Sequence, residues 1–410
     1  MAEPTSYWHA TFDPLIPGDE MPATTDVAVI GGGMLGCWTA YWLARAGVSV
    51  TLLEQNVIGW GATGRNGGFL VGGTASGFGA LARRIGEDAA QQVETIAAEG
   101  RELAETAIRE ERIDCDFRVP GTLSLALSDE ELADMRADAG SLAKSGFAGE
   151  VLDRAATQDL IETPLSEEIR GAMYAPNGAL VHSERYLCGV AGAARRHCAR
   201  LVRAGVTGLA PEVDATRIET TAGPLTAGRV VVALNAWTDT LVPAMAGKIV
   251  PVRGQILAYA PTDRVFEAAI GASVTPTGEY WQQTPDGSIV IGGCRQDAPH
   301  GDVGVREMVP TDGVIERIER VLPRLFPQLA RLSVSRRWAG LMAFTSDYMP
   351  VADSAPNMPG VWFGGGFCGH GMPFGPRVGQ LLAEAAMTGS TPEALAPLRI
   401  DRPTLERFGA

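Results

Sequence analysis

Short apolar runs broken by glycine set the pattern of this chain. Residues 26–30 (DVAVI) and 48–53 (VSVTLL) have the length and composition of buried strands. Between them Trp38, Tyr41 and Leu43 stand at helical spacing, and Gly47 ends the helix. The pattern predicts strand, helix, strand. Further on, 80–112 reads as one long helix rich in Ala and Glu, 121–127 (GTLSLAL) as a strand, and 129–145 as a helix. Asn177-Gly178 marks a turn, and 182–201 is helical again. Residues 213–221 and 226–234 form a predicted hairpin. From 249 to 294 the text turns to strands, with a hairpin about Asp286-Gly287. A charged helix covers 311–330, Val361–Phe363 is a short strand, and an apolar helix runs from about 375 to 387. Residues 1–24 are polar and proline-rich, an expected arm on the surface.

The chemistry begins at the first strand end. Gly31-x-Gly33-x-x-Gly36 follows the strand at once, and Glu54 closes the second strand. Gly31 permits the tight turn, Gly33 lets backbone approach a pyrophosphate, and Gly36 lets the helix lie close to the strand. The helix N-terminus offers N–H groups to the anion, and Glu54 can accept from a ribose diol. This predicts a bound adenine dinucleotide. Residues 57–79 carry nine glycines and suit neither helix nor strand; backbone there must come close to something. A second glycine loop, Gly364–Gly371, feeds a second helix N-terminus, whose partial positive charge can face a flavin ring.

Composition narrows the partners. The 410 residues are 46% hydrophobic with a formal net charge of −14, which argues against nucleic acid and anionic membranes. No apolar run reaches the roughly 18 residues of a membrane span. The N-terminus lacks the basic-then-apolar pattern of a signal peptide. Six cysteines without a CxxC read as reduced cysteines of a cytoplasmic protein, and no histidine has metal-ligand spacing.

Taken in order, the fingerprint Gly31–Glu54, the segment GATGRNGG at 61–68, the strand end Ala233–Trp237 and the loop Gly364–Gly371 resemble the D-amino-acid oxidase (DAO) family of FAD-dependent oxidoreductases. That family includes glycine oxidase and sarcosine oxidase. The likeness covers about residues 24–390, and GATGRNGG is most similar to the γ-glutamylputrescine oxidase-like branch. The resemblance implies an α/β plus α+β fold. A discontinuous Rossmann-like FAD-binding domain would take 25–80, 146–240 and 335–410. A substrate domain on an antiparallel sheet would take 81–145 and 241–334, with 1–24 as the arm. The implied reaction oxidises a CH–NH bond of an amine to an imine by hydride transfer to flavin N5, with hydrolysis following. Oxygen or another acceptor would take the electrons. Rival readings are an amino-acid or 2-hydroxy-acid oxidase or dehydrogenase with Arg65 or Arg253 on a carboxylate, and a non-catalytic FAD-binding subunit of a complex.

Carried over by residue, Gly31, Gly33, Gly36 and Glu54 would hold the ADP half of FAD, and the backbone of Val213 would meet the adenine. Thr63, Arg65, Asn66, Gly67 and Gly68 would lie along the ring and ribityl chain. Gly366, Gly369, His370, Gly371 and Met372 would border the pyrimidine end. Met34, Leu35, Gln55, Gly61, Ala62, Asn235, Trp237 and Gly340 complete the expected cofactor contacts. Tyr280, Trp281, Met342, Phe344 and His370 are the candidates for the substrate wall. Met342 stands where members acting on free amino acids carry an arginine, and Val290 where the sarcosine oxidase branch carries a lysine. Gly340 replaces the cysteine of covalent members and Arg65 the histidine of others, so the FAD is expected to be non-covalent.

Overall fold

The computed structural model describes residues 5–144 and 149–408. Two eight-stranded sheets organise it. In the first, strands 351–354, 361–365, 225–232, 24–30, 50–54 and 200–203 lie side by side. The four central pairings from 361–365 to 200–203 are parallel. A meander of strands 206–211 and 216–220 hangs from 225–232. Both faces are covered, as a parallel sheet requires. Period-two alternation sends Val27 and Val29 to one core and Ala28 and Ile30 to the other. Helices Met34–Arg45, Glu87–Glu110, Ser183–Arg196 and Gly371–Thr388 pack together over the Val27 face.

The second sheet runs 334–344, 250–259, 289–292, 279–283, 269–272, 122–126, 171–175, 150–153. Every neighbouring pair is antiparallel except 269–272 with 122–126. One face buries Leu257, Trp281 and Ile291 with Phe266 and Phe326 beneath the short helices Asp312–Glu319 and Val321–Leu325. The other face carries Ile256, Trp338 and Tyr280 and turns toward the glycine-rich loops.

Several expectations shift. The helix over 80–112 is two helices, Phe78–Ile85 and Glu87–Glu110, broken at Gly86 with φ +90°. The helix over 182–201 stops at Arg196, and Arg200–Arg203 instead forms a strand beside Val50–Glu54. The hairpin is a three-strand meander, because Val206–Pro211 pairs as well. The charged helix over 311–330 is interrupted, and the last helix begins four residues earlier than expected, at Gly371. The helix from 129 is described to Lys144; its expected last residue, 145, lies outside the described residues. The domain boundaries move with these elements. Residues 87–110 pack into the first sheet's core, whereas 150–175 and 334–344 pair into the second sheet.

The N-terminal arm is also corrected. Tyr7–Thr11 is a helix with Tyr7 and Trp8 buried. Ser6 Oγ donates to Gly64 O at 2.6 Å and Trp8 Nε1 to Asn66 O at 2.7 Å. His9 Nε2 meets the fully buried Glu184 carboxylate at 3.1 Å. The arm thus braces the glycine loop. Trp8 is 1% exposed, so Trp8→Ala should cost about 3–5 kcal/mol of stability, a typical penalty for emptying a large aromatic site. Chemical denaturation of the purified variant measures it; a loss under about 1 kcal/mol would refute the bracing role.

Candidate active site

The first glycine turn is built on steric necessity. A Cβ at Gly36 would collide with the Gly31 carbonyl, so this helix can start where it does only with glycine there. Gly33 is the N-cap residue and provides no side-chain cap. Met34 N donates to Thr63 Oγ1 at 3.1 Å. Among the described residues no protein group accepts from the Gly33 or Leu35 N–H. These donors and the helix dipole form an anion cradle. A Cβ at Gly33 would meet only Thr63 Oγ1, at 3.8 Å, so the space before the cradle is open.

Glu54 sits at the neighbouring strand end. Its Oε2 accepts from Gly32 N at 2.8 Å and its Oε1 from Asn56 N at 2.7 Å. Each oxygen can take a second donor, which suits a diol. Burial raises the Glu54 carboxyl above its ordinary value, opposed by the Asn56 and Gly32 N–H groups. Gln55 is exposed beside it, and a Cβ at Gly205 would lie 3.4 Å from Gln55 Oε1.

A second group of residues forms the floor. Trp60 and Trp237 approach at 6.1 Å between ring centroids, with Gly61 against Trp237 and Ala62 leading into the Thr63–Arg65 turn. Asn66 Oδ1 accepts from Gly68 N at 2.9 Å and from Ser183 Oγ, so Asn66 holds the loop itself. Gln282 Nε2 donates to Gly67 O. Asn235 Oδ1 accepts from Gly366 N at 3.1 Å, joining the two glycine loops. Arg65 is 5% exposed, donates to Trp60 O at 3.0 Å and lies over the Trp60 ring. The helix from Gly371, with Met372 buried in its first turn, points its N-terminus into the same region. Its N-cap residue His370 is half-buried, and its Nδ1 lies 3.3 Å from Cys368 O. Burial lowers the His370 pKa, so the ring is neutral at pH 7.

The second sheet supplies the opposite wall. A Cβ at Gly67 would meet the Tyr280 ring at 2.8 Å, and a Cβ at Gly369 would lie 3.4 Å from Met342 Sδ. Phe69 stands edge-on to Tyr280 at 5.6 Å, and Phe344 edge-on to Tyr348 at 5.6 Å. Tyr280, Met342, Phe344 and His370 are therefore gathered about one cleft.

Two expected residues are not. Trp281 is fully buried against Phe266 and Phe326, because it alternates with Tyr280 and faces the second sheet's own core. Val213 is 97% exposed in the turn between strands 206–211 and 216–220. The unread strand Val206–Pro211 carries it out to a hairpin tip. Ala204 and Gly205 are the residues that flank the end of Val50–Glu54, with Ala204 N donating to Glu54 O at 2.9 Å. The pattern missed Arg295, Tyr348 and Trp60. A cation just beyond the strand-ending Gly292-Gly293 pair is the signal that could have marked Arg295. The rival arginines are engaged elsewhere. Arg253 binds Asp302 through Nε at 2.9 Å and Nη2 at 2.7 Å, and Arg65 is held as described above.

Comparison with known proteins fits this geometry. The family model of the DAO FAD-dependent oxidoreductases matches residues 26–385, and the chain belongs to that family. It is 30% identical over 398 residues to the γ-glutamylputrescine oxidoreductase of Escherichia coli (strain K12), covering 93% of this chain and 88% of that protein. It is 26% identical to a glycine oxidase of Pseudomonas aeruginosa, covering 89% of this chain and 95% of that one. Among solved structures, L-proline dehydrogenase from P. horikoshii superposes with a TM-score of 0.79 at 26% identity, covering 94% and 100% of the two chains. The chain is an FAD-dependent amine or amino-acid oxidoreductase. The open cradle at Gly33, the diol acceptor Glu54 and the second helix N-terminus suit FAD.

Two outcomes follow. Gly33→Glu should fold with unchanged thermal stability in the flavin-free state, since the protein leaves room there, yet bind no flavin. Absorbance at the flavin band after reconstitution reads this, and retained flavin would refute the cradle. The cofactor should also be released by acid. Gly340 has no side chain to bond, and the Cys368 thiol, pushed up to about 11 by burial, accompanies a chain that donates to Gly366 O. Acid precipitation should leave a yellow supernatant and a white pellet; a yellow pellet would mean a tether.

Proposed function

We propose that the chain binds an amine as its free base between the glycine loops and the second sheet, and oxidises its CH–NH bond to an imine that water hydrolyses. The observation that carries this reading is the wall opposite Gly369: a thioether, Met342, with Tyr280 and Phe344 beside it and no cation at the Met342 position. Such a wall favours a neutral nitrogen and the apolar carbon next to it.

Bound FAD supplies the two-electron acceptor for hydride leaving that carbon. The protein's part is to exclude water and hold the C–H within about 3–3.5 Å of its acceptor. Tyr280, pushed up to about 12 by burial against the weaker pull of Arg295, keeps its proton and can donate one hydrogen bond. His370 stays neutral, so neither group repels the amine, and neither is poised as a strong base. The nitrogen must therefore arrive unprotonated or lose its proton to water. We assign cofactor holding to the first sheet with residues 61–68 and 366–372, and the substrate wall to the second sheet. Val206, next to Gly205, replaces Val213 as the residue offered to the adenine end. Oxygen or another oxidant takes the electrons onward. The six cysteines, none paired, suit a cytoplasmic setting. Relatives named for γ-glutamylputrescine and glycine support an amine or amino-acid substrate.

The test is the pH dependence of anaerobic flavin reduction. The rate should rise with pH to a plateau, with an inflection that follows the amine's own pKa when two amines of different basicity are compared. Tyr280→Phe should leave the inflection in place, because the phenol titrates near 12. A profile that is flat, or that does not move with the amine, would defeat the reading.

A further inference from the structure

Three arginines border the cleft wall, and they differ in what they hold. Arg253 is closed by Asp302, whose second oxygen also takes Gln255 Nε2 at 2.7 Å. Arg65 donates to the carbonyls of Trp60 and Ala339. Arg295 is different. Among the described residues its guanidinium has no hydrogen bond and no carboxylate within 4.0 Å, although the side chain is half-buried. The nearest acid in sequence, Asp297, lies 3.8 Å from Arg317 instead.

Geometry directs Arg295 into the cleft. Its Cζ lies 4.9 Å from the centroid of the Phe344 ring. Phe344 is edge-on to Tyr348, which is 36% exposed with φ +60° and forms the rim. Cys294, at φ +52°, turns the chain after Gly293 so that residue 295 leaves the strand end. Burial pulls the Arg295 pKa below the ordinary arginine value, with Tyr348, Cys368, Asp302 and Tyr280 the surrounding groups that oppose it. A partly desolvated cation without a partner is costly, and an incoming anion removes that cost.

We propose that Arg295 is the anion-binding residue of the substrate site, and that the substrate is an amine carrying a carboxylate several bonds from the reacting C–N. The inference rests on the amine-oxidation reading for the position of the reacting end. Met342 faces Gly369 and Phe344 lies two residues further along the same strand. The guanidinium is therefore displaced toward the rim by about 7 Å. A carboxylate on the reacting carbon does not span that distance, whereas one separated by three to five methylenes does. Arg295 thus acts as a specificity-determining residue at the mouth, with planar donors suited to a carboxylate.

The experiment compares n-butylamine, glycine, 4-aminobutanoate and 6-aminohexanoate on the holoenzyme, wild type against Arg295→Met and Arg295→Lys. Calorimetric titration gives Kd, and anaerobic flavin reduction gives rate constants. Flavin content and Tm should be unchanged in both variants, because no protein partner is lost. Wild type should prefer one of the two longer amino acids over n-butylamine and over glycine. Arg295→Met should collapse the preference over n-butylamine by about 10- to 100-fold, mostly in Kd, and Arg295→Lys should restore part of it. The proposal is overturned if wild type shows no such preference, or if Arg295→Met leaves the ratio of the two Kd values unmoved. If none of the amines reduces the flavin, the amine-oxidation reading fails, while the calorimetric ratio still decides Arg295.

Discussion

Strand Val334–Phe344 touches the Thr63–Arg65 turn at Gly340, and that contact sets the gap between the two sheets. A Cβ at Gly340 would lie 2.9 Å from Arg65 Cβ, so any side chain there forces the strand away from the turn. Trp338 Nε1 donates to Arg65 O at 3.1 Å, and Arg65 Nη1 reaches back to Ala339 O at 3.4 Å. Backbone and side chain thus fix both separation and register. Because side chains alternate along a strand, the Trp338–Gly340 face continues as Met342 and Phe344. The wall of the cleft is positioned by a contact one residue wide, two residues away.

The charges about this contact are arranged against the sign of the molecule. A surface of formal net charge −14 surrounds two helix N-termini that face one groove. Each end contributes about half a positive charge, enough to favour an anion locally without any lysine or arginine. The arginines nearby are mostly absorbed by internal acceptors. Arg65 in particular serves packing with Trp60 and carbonyl binding, and it is as buried as a core residue.

What could be read from the sequence was local. The Gly31–Glu54 unit is recognisable because a turn, a helix start and a strand end are all specified within thirty residues, and the structure repeats that order. Tyr280 and Trp281 could not be separated in the same way. Both are aromatic, and which one faces the cleft depends on which sheet face the helices 312–325 cover. Val213 was misplaced for a related reason. The strand Val206–Pro211, with its Thr-Gly-Leu centre half exposed, has no clean alternation, so the meander appeared one strand short and the valine one turn too early. The long helix was read through Gly86 because the residues on both sides favour helix. Only the positive φ at that glycine reveals the break.

The chain termini show why length alone misleads. Residues 1–24 look like a loose arm in composition, yet Ser6 and Trp8 bond the carbonyls of Gly64 and Asn66 from outside the groove. At the other end Arg402 pairs with Asp347 at 2.6 and 2.9 Å, in a site where both side chains are nearly fully buried. Burial alone would raise the Asp347 carboxyl; Arg402 outweighs it and holds the group below the ordinary range. A buried ion pair adds little net stability over an apolar pair, but it fixes geometry. Here the geometry fixed is the turn that holds Tyr348 at φ +60°, a backbone state that costs about 1–3 kcal/mol outside glycine. The C-terminal segment therefore holds a strained rim residue in place from behind, while the N-terminal helix holds the glycine loop across from it. The cleft lies between two loops that neither sheet would fix alone.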